Sequence, residues 1–425
     1  MKIAVIGTGI AGNVAAWHLS RTHEITVYEA GGHVGGHTHT HVVEQAGRTY
    51  NVDTGFIVFN DWTYPNFIRL LDELGVATQP STMSFSVRDA TSGLEYNGSS
   101  LNSLFAQRRN LLRPALWRMI RDILRFNRQA PALLAQPGEE LSLGEYLAAN
   151  DYSREFVDHY IVPMGAAIWS TDPGSMQRFP ARFFVRFFHN HGMLSVDARP
   201  QWRVIRGGSA RYVEKLTAPF RDRIRRHTPV EWIRRLPGQV RVKARGLDIE
   251  RYDAVFLACH SDEALRLLAD ASPQESAVLG AIPYQRNVAV LHTDIRLLPR
   301  RRLAWAAWNY HLQPGHRGHV ALTYNMNLLQ SLDAPVPFLV TLNHGGVIDP
   351  AKIIARVDYD HPLFTPQGVA AQARQREING PLNTYFCGAY WRNGFHEDGV
   401  VSALDALRHF GERNNDAQRT LCRAG

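Results

Sequence analysis

The chain has 425 residues, 45% of them hydrophobic and 20% charged, which gives room for two or three domains with a packed core and excludes a disordered or fibrous protein. The net charge is +8 and is almost all arginine, since Lys2, Lys215, Lys243 and Lys352 are the only lysines. Such a balance suits nucleic acid, acidic lipid or an anionic substrate, or reflects no more than genomic base composition; no zinc-finger, RNP or other nucleic-acid motif accompanies it.

Cys259, Cys387 and Cys422 lie far apart and form no CxxC pair, which disfavours a disulfide framework, a thiolate zinc site and a dithiol redox centre. No stretch approaches the ~18 uninterrupted apolar residues of a membrane span, and the apolar run at residue 3 follows Met1-Lys2 directly, without a signal-peptide pattern. The expectation is a cytoplasmic protein.

The first predicted element is a buried strand from Lys2 to Ile6, followed at once by Gly7-Thr8-Gly9-Ile10-Ala11-Gly12 and a helix from Asn13 to Ser20. A second strand, Glu24 to Tyr28, ends in Glu29. Gly7 permits a tight strand-to-helix turn, Gly9 lets the backbone approach a pyrophosphate, and Gly12 lets helix and strand pack closely. Free amides at the helix start, Ile10 and Ala11 among them, suit an anion. Glu29 can accept a ribose hydroxyl and would repel a 2′-phosphate. Together these form a dinucleotide site in its full strand–helix–strand context.

The next stretch reads Glu29-Ala30-Gly31-Gly32-His33-Val34-Gly35-Gly36-His37-Thr38. It resembles the extended FAD signature of the superfamily of monoamine oxidase, phytoene desaturase and protoporphyrinogen oxidase, in which two arginines flank the glycine pair. Here both are histidines, His33 and His37, which lack the fixed charge and the fork of arginine. Four histidines between 33 and 41 also admit a metal site. Asp53-Thr54-Gly55 resembles the superfamily's Asp-x-Gly segment; Asp53 is either a cofactor contact or structural.

Leu101 to Gln129 carries seven arginines (108, 109, 113, 118, 121, 125, 128) against one acid, Asp122. Leu112, Leu116, Met119, Ile120, Ile123 and Leu124 fall mostly on another face. The segment reads either as a basic amphipathic helix lying on an anionic bilayer, such as the inner membrane, or as a surface helix with its apolar side in the core. Phe183, Phe184, Phe187 and Phe188 form doublets at helical spacing that either line an apolar tunnel or fill the core.

Two later segments resemble the remainder of the FAD domain. A helix from Ala210 to Thr217 follows Gly207-Gly208, and Val230 opens a hairpin that leads to the strand Tyr252 to Cys259. In the resemblance the Val230 backbone meets the adenine. Thr384 to Trp391, then Gly394 to Val401 and a helix from Val400 to Phe410, resemble the terminal flavin motif, which implicates Gly388, Asp398, Gly399 and Val400. Either Phe395 or His396 takes the position facing the ring.

The resemblance implies an α/β, amine-oxidase-like fold. A discontinuous Rossmann-like FAD-binding domain would comprise 1–80, 201–275 and 381–425, and an α+β substrate domain 81–200 and 276–380. No second strand-bounded GxGxxG occurs, so no NAD(P)H domain is expected. Cys387 precedes the strand-ending glycine, in the wrong place for a flavin tether, so the FAD is expected to be non-covalent. The strand Arg286 to His292 lacks the lysine of many amine oxidases.

The segments around Tyr284, His292 and Trp305-Ala306-Ala307-Trp308 resemble bacterial flavoproteins associated with cyclopropane-fatty-acyl-phospholipid synthases. That resemblance implies a small hydrophobic or lipid substrate, a modified fatty acyl chain, dehydrogenated by hydride transfer to flavin N5. Trp308, Tyr324, Tyr390, Trp391 and His396 are the candidates to line the pocket, and each suits a core equally well. An amine oxidase, and a non-catalytic flavin-binding partner of a lipid methyltransferase, are the alternatives.

Overall fold

A computed structural model describes residues 1–135, 141–313 and 321–424, with side chains described through residue 414; the side chain of Cys422 falls outside the described residues.

Five parallel strands form the first sheet, in the order Ile224–Arg225, Glu24–Tyr28, Lys2–Ile6, Ala254–Leu257, Thr384–Phe386. Alternate residues feed opposite cores, because a parallel strand is buried on both faces. Ile3 and Val5 join the helix Ile10–Leu19 and the buried Phe67, Tyr212 and Phe410 on one side. Ala4 and Ile6 join Ile233, Val242 and Tyr252 of an antiparallel three-stranded ribbon, residues 230–252, on the other. Arg235 fastens that ribbon to the helix Pro273–Leu279. Its guanidinium, 1% exposed, pairs with Glu275 and Asp270.

A seven-stranded sheet forms the other half of the molecule. Its order is Ile353–Pro362, Tyr284–His292, Leu339–Leu342, Leu322–Asn325, Trp308–Leu312, Phe85–Asp89, Glu95–Asn97. All of its pairings are antiparallel except that between Trp308–Leu312 and Phe85–Asp89. Helices from residues 101 to 190 pack on it through a core rich in aromatics, including Phe126, Phe156, Phe184 and Phe188.

Several elements differ from the sequence expectation. The first helix starts at Ile10, three residues early, since the amides of its first turn need no intrahelical acceptor. The last helix starts at His396, not Val400, which puts Gly399 and Val400 inside its first turns. Two features of the fold oppose the usual reading of Gly399 as a helix breaker. Asp398 accepts the amides of Asn393 and Phe395 at 3.2 and 2.9 Å and so caps the helix, and a Cβ at 399 would meet Ile10 Cγ2 at 2.6 Å. The 101–129 segment is three pieces, Leu101–Leu104, Arg108–Leu112 and Pro114–Gln129, divided where Arg113 precedes Pro114.

Candidate functional site

A cavity of about 660 Å³ opens along the carboxyl ends of the parallel strands and continues beneath the seven-stranded sheet. Crevices at this edge are where open α/β sheets bind ligands. Glu29, Ala30 and Val230 lie on its wall at one end, and Trp308, Tyr324 and Phe364 at the other.

The nucleotide end follows from backbone geometry. Gly7, at φ +102, donates its amide to the Tyr28 carbonyl at 2.8 Å and turns the chain from strand to helix. Gly9, Ile10 and Ala11 are on the wall at the helix start. A Cβ built on Gly9 meets nothing within 4 Å, so bare backbone borders open space there. Gly12 stands behind, where a Cβ would fall on the Gly7 carbonyl. Glu29 accepts the Gly31 amide at 2.8 Å, and the Thr8 amide at 3.2 Å with the Thr8 hydroxyl, which fixes its carboxylate beside the turn.

Gly36 and His37 form the facing wall. The His37 ring stacks on Tyr359 at 4.8 Å and lies 5.3 Å from His361 and 6.1 Å from His260. Burial, then repulsion from these neighbours, pushes His37 well below the usual histidine range, so it is neutral at pH 7. Its Nε2 is buried without a partner. Gly55 and Gly388 complete the cradle; a Cβ on Gly55 would fall on the His37 carbonyl.

Other expected cofactor residues are held away from the cavity by contacts of their own. His33 bonds the Thr38 carbonyl at 2.7 Å and stacks on His39, closing the Gly35-Gly36 loop from outside. Gly35 sits behind that loop at φ +137, where a Cβ would meet the Thr38 carbonyl at 2.7 Å. The Thr38 hydroxyl meets Tyr212 at 2.6 Å and His396 Nε2 at 3.0 Å. Asp53 is fully buried and joins three chain segments: it accepts Ser209 N and Oγ, Thr40 Oγ1 and Gln330 Nε2. Asp398 caps its own helix, and Val400 packs in the core with the first helix. These residues shape the site from behind its wall.

Four of the five expected pocket residues, Trp308, Tyr324, Tyr390 and His396, reach the wall; Trp391 is buried in the core beneath Tyr390. His396 is held in place, its Nε2 2.8 Å from Tyr212 and its ring stacked on Phe56 at 3.5 Å, and burial lowers it to about 3. Phe395 also lines the cavity, stacked on Phe187 at 5.1 Å. The phenylalanines 183–188 thus back the wall and do not form it. Trp308 and Tyr324 are register partners whose rings meet at 90°. Trp308 Nε1 and the Tyr390 hydroxyl are buried without a partner.

Trp169, Ser170, His260 and His361 are wall residues that the sequence reading missed. Ser170 alone carries a backbone signal, a left-handed φ of +52 that ends the helix Val162–Trp169; nothing local marks His361. His33, His39 and His41 stack face to face at 4.1 and 4.2 Å, which turns ring faces rather than nitrogens toward one another. Among the described residues no three His, Cys, Asp or Glu side chains are placed to hold a metal ion.

Residues 10–293, more than half of the chain, match the family described as flavin containing amine oxidoreductase, and the chain belongs to it. No curated protein matches the sequence. Solved structures with the same fold include cyclohexylamine oxidase from Brevibacterium oxydans, with TM-score 0.70, 16% identity, and coverage of 97% of this chain and 99% of that one. The CLA-producing fatty acid isomerase from P. acnes gives 0.69, 17%, 96% and 98%. Putrescine oxidase bound to putrescine gives 0.66, 15%, 97% and 99%.

The protein is therefore an FAD-dependent oxidoreductase. The bare glycine edge at Gly7 and Gly9, the fixed Glu29 and the unpartnered His37 Nε2 fit the cofactor's pyrophosphate and ribose. Cys387 is fully buried away from the wall, in keeping with FAD held non-covalently. Cys259 is on the wall, but burial pushes its thiol well above the usual range, so it is not a thiolate.

Proposed function

We propose that the protein dehydrogenates a hydrophobic molecule, namely a modified fatty acyl chain of membrane lipid. Bound FAD would supply the two-electron acceptor: one hydrogen would pass to it as a hydride and the other, from the adjacent carbon, would leave as a proton to solvent, with a carbon–carbon double bond left behind and dioxygen, a quinone or a carrier protein taking the electrons onward. The observation that carries the reading is the wall opposite the nucleotide end. Ile168, Trp169, Trp308, Tyr324, Phe364 and Phe395 offer apolar surface, while the acids and the arginine of the cavity, Glu29, Glu263, Arg266 and Asp360, come from other elements. Such a wall holds an apolar chain by excluding water and fixes which C–H lies against the cofactor. The unpartnered Trp308 Nε1 is a donor for one acceptor oxygen, as an ester or carboxyl carries.

The test is anaerobic. The purified flavoprotein is mixed with phospholipids bearing methylated or cyclopropanated acyl chains, and separately with a panel of amines. Bleaching of the flavin band by lipid, with loss of two hydrogens located by mass spectrometry, supports the reading. Bleaching by amines alone would make the protein an amine oxidase. A band that neither class bleaches would favour a non-catalytic flavin-binding partner of a lipid methyltransferase.

A further inference from the structure

We propose that the face built by residues 101–128 and 300–303 seats the protein on an anionic phospholipid bilayer. None of these residues lines the cavity, and the proposal stands whether or not the substrate is a lipid.

The long helix Pro114–Gln129 has two distinct stripes. Leu116, Met119 and Phe126 are buried in the aromatic core, so the strongly apolar side apparent in the sequence is already covered. Trp117, Arg121, Leu124 and Arg128 recur at helical spacing on a second stripe, and all four are exposed. Trp117 is 50% exposed yet fixed: its Nε1 donates to the Leu111 carbonyl at 2.9 Å and its ring lies 5.5 Å from Phe105. The preceding turn adds Leu112, 88% exposed, and the helix Leu101–Leu104 adds Leu101, 76% exposed. That helix packs against the turn Arg302–Ala304, which brings Leu303 to the same face.

Arginines alternate with these apolar groups. Arg108, Arg109, Arg118, Arg121, Arg128, Arg300, Arg301 and Arg302 are all exposed. Two of the acids nearby are taken up by the protein itself: Glu155 pairs with Arg118, and Asp122 is buried, bonded to the Ser153 amide at 2.9 Å. Arg88, Arg108, Arg109, Arg300 and Arg301 surround a groove of about 540 Å³. Its acids are occupied, Glu95 by the amides of Arg300 and Arg301, and Asp89 by Thr91, Ser92 and His159. Among the described residues the Arg300 and Arg301 side chains have no carboxylate partner.

Guanidinium groups bind phosphate in a fork, and tryptophan and leucine enter the headgroup layer beside them. A protein partner would instead favour an apolar centre with a polar rim. Here apolar and cationic side chains are interleaved residue by residue, which matches the mixed surface of an anionic bilayer.

Flotation of the holoprotein with phosphatidylglycerol–phosphatidylcholine vesicles, against phosphatidylcholine alone, tests this. Partition is expected to be at least about tenfold stronger on the anionic vesicles and to fall at high salt. Two double variants, L112A/W117A and R300A/R301A, are expected to lower it severalfold while keeping the wild-type flavin spectrum. Equal recovery with both vesicle types would overturn the proposal, as would wild-type partition of both variants. Salt-sensitive retention on heparin without vesicle binding would overturn it too, in favour of a soluble polyanion.

Discussion

Trp308 and His396 both reach the cavity, but their polar atoms stand in opposite situations. His396 Nε2 is held by Tyr212 and Thr38, whereas Trp308 Nε1 has no acceptor. A buried donor without a partner costs about 1–3 kcal/mol, so a ligand oxygen that meets it gains correspondingly. Trp308→Phe keeps an aromatic ring on the wall and removes the donor. The expected outcome is unchanged FAD content and a KM raised roughly tenfold. A KM at the wild-type value would show that Nε1 contacts no substrate atom. Thr38 presents the converse case: Thr38→Val removes one partner from each of His396 and Tyr212 and leaves only their 2.8 Å bond to one another, so its loss should appear in flavin retention and thermal stability rather than in KM alone. Asp53 behaves as a joint of the same kind, its contacts spanning residues 40, 209 and 330. The Asp-x-Gly segment placed it correctly in the chain, but three partners so distant in sequence leave no local mark of what it holds.

Gly9 and Gly12 share one strand-to-helix turn and predict different phenotypes. A Cβ at 9 meets open space, whereas at 12 it would strike the Gly7 carbonyl. Gly9→Ala is therefore expected to fold with near wild-type stability and to purify with little flavin. Gly12→Ala should lose stability itself, with a melting temperature lowered even when FAD is in excess. Identical behaviour of the two variants would refute the separate roles. This turn was legible in the sequence because close backbone approach admits only glycine at fixed spacings. The closing helix was legible in part. Gly399 reads as the residue before a helix, yet the structure places it inside, where it admits Ile10 of the first helix. The apolar wall was legible in part: Trp308, Tyr324, Tyr390 and His396 were expected there and reach it, but what brings them together left no local mark. Trp308 faces Tyr324 through strand register, and Trp169 arrives from a helix more than a hundred residues earlier.

Burial sets the charge economy of the molecule. His191, His292 and His361 are lowered to about 4, and His311 and His396 to about 3, all by burial. Each takes up a proton near pH 6.5 when unfolded and refuses it when folded. Their contribution is therefore present above 6.5 and lost as pH falls, at about 1.4 kcal/mol per histidine per pH unit. Asp53 and Asp398, raised to about 6 and about 7 by burial, act in reverse and lose stability as pH rises through those values. The histidines outnumber them, so urea denaturation should show markedly lower stability at pH 5 than at pH 7.5. Equal or greater stability at pH 5 would mean that these rings are protonated in the folded protein.

The order of strands in the parallel sheet also bears on how the protein is made. During synthesis Lys2–Ile6 and Glu24–Tyr28 leave the ribosome some two hundred residues before Ala254–Leu257, which pairs with Lys2–Ile6, and Thr384–Phe386 follows later still. Until then one edge of the central strand is an open template for misplaced pairing. The cavity wall includes Gly388 to His396, so flavin loading must follow synthesis of that segment, and a nascent chain stalled before residue 384 should depend on chaperones and carry no FAD.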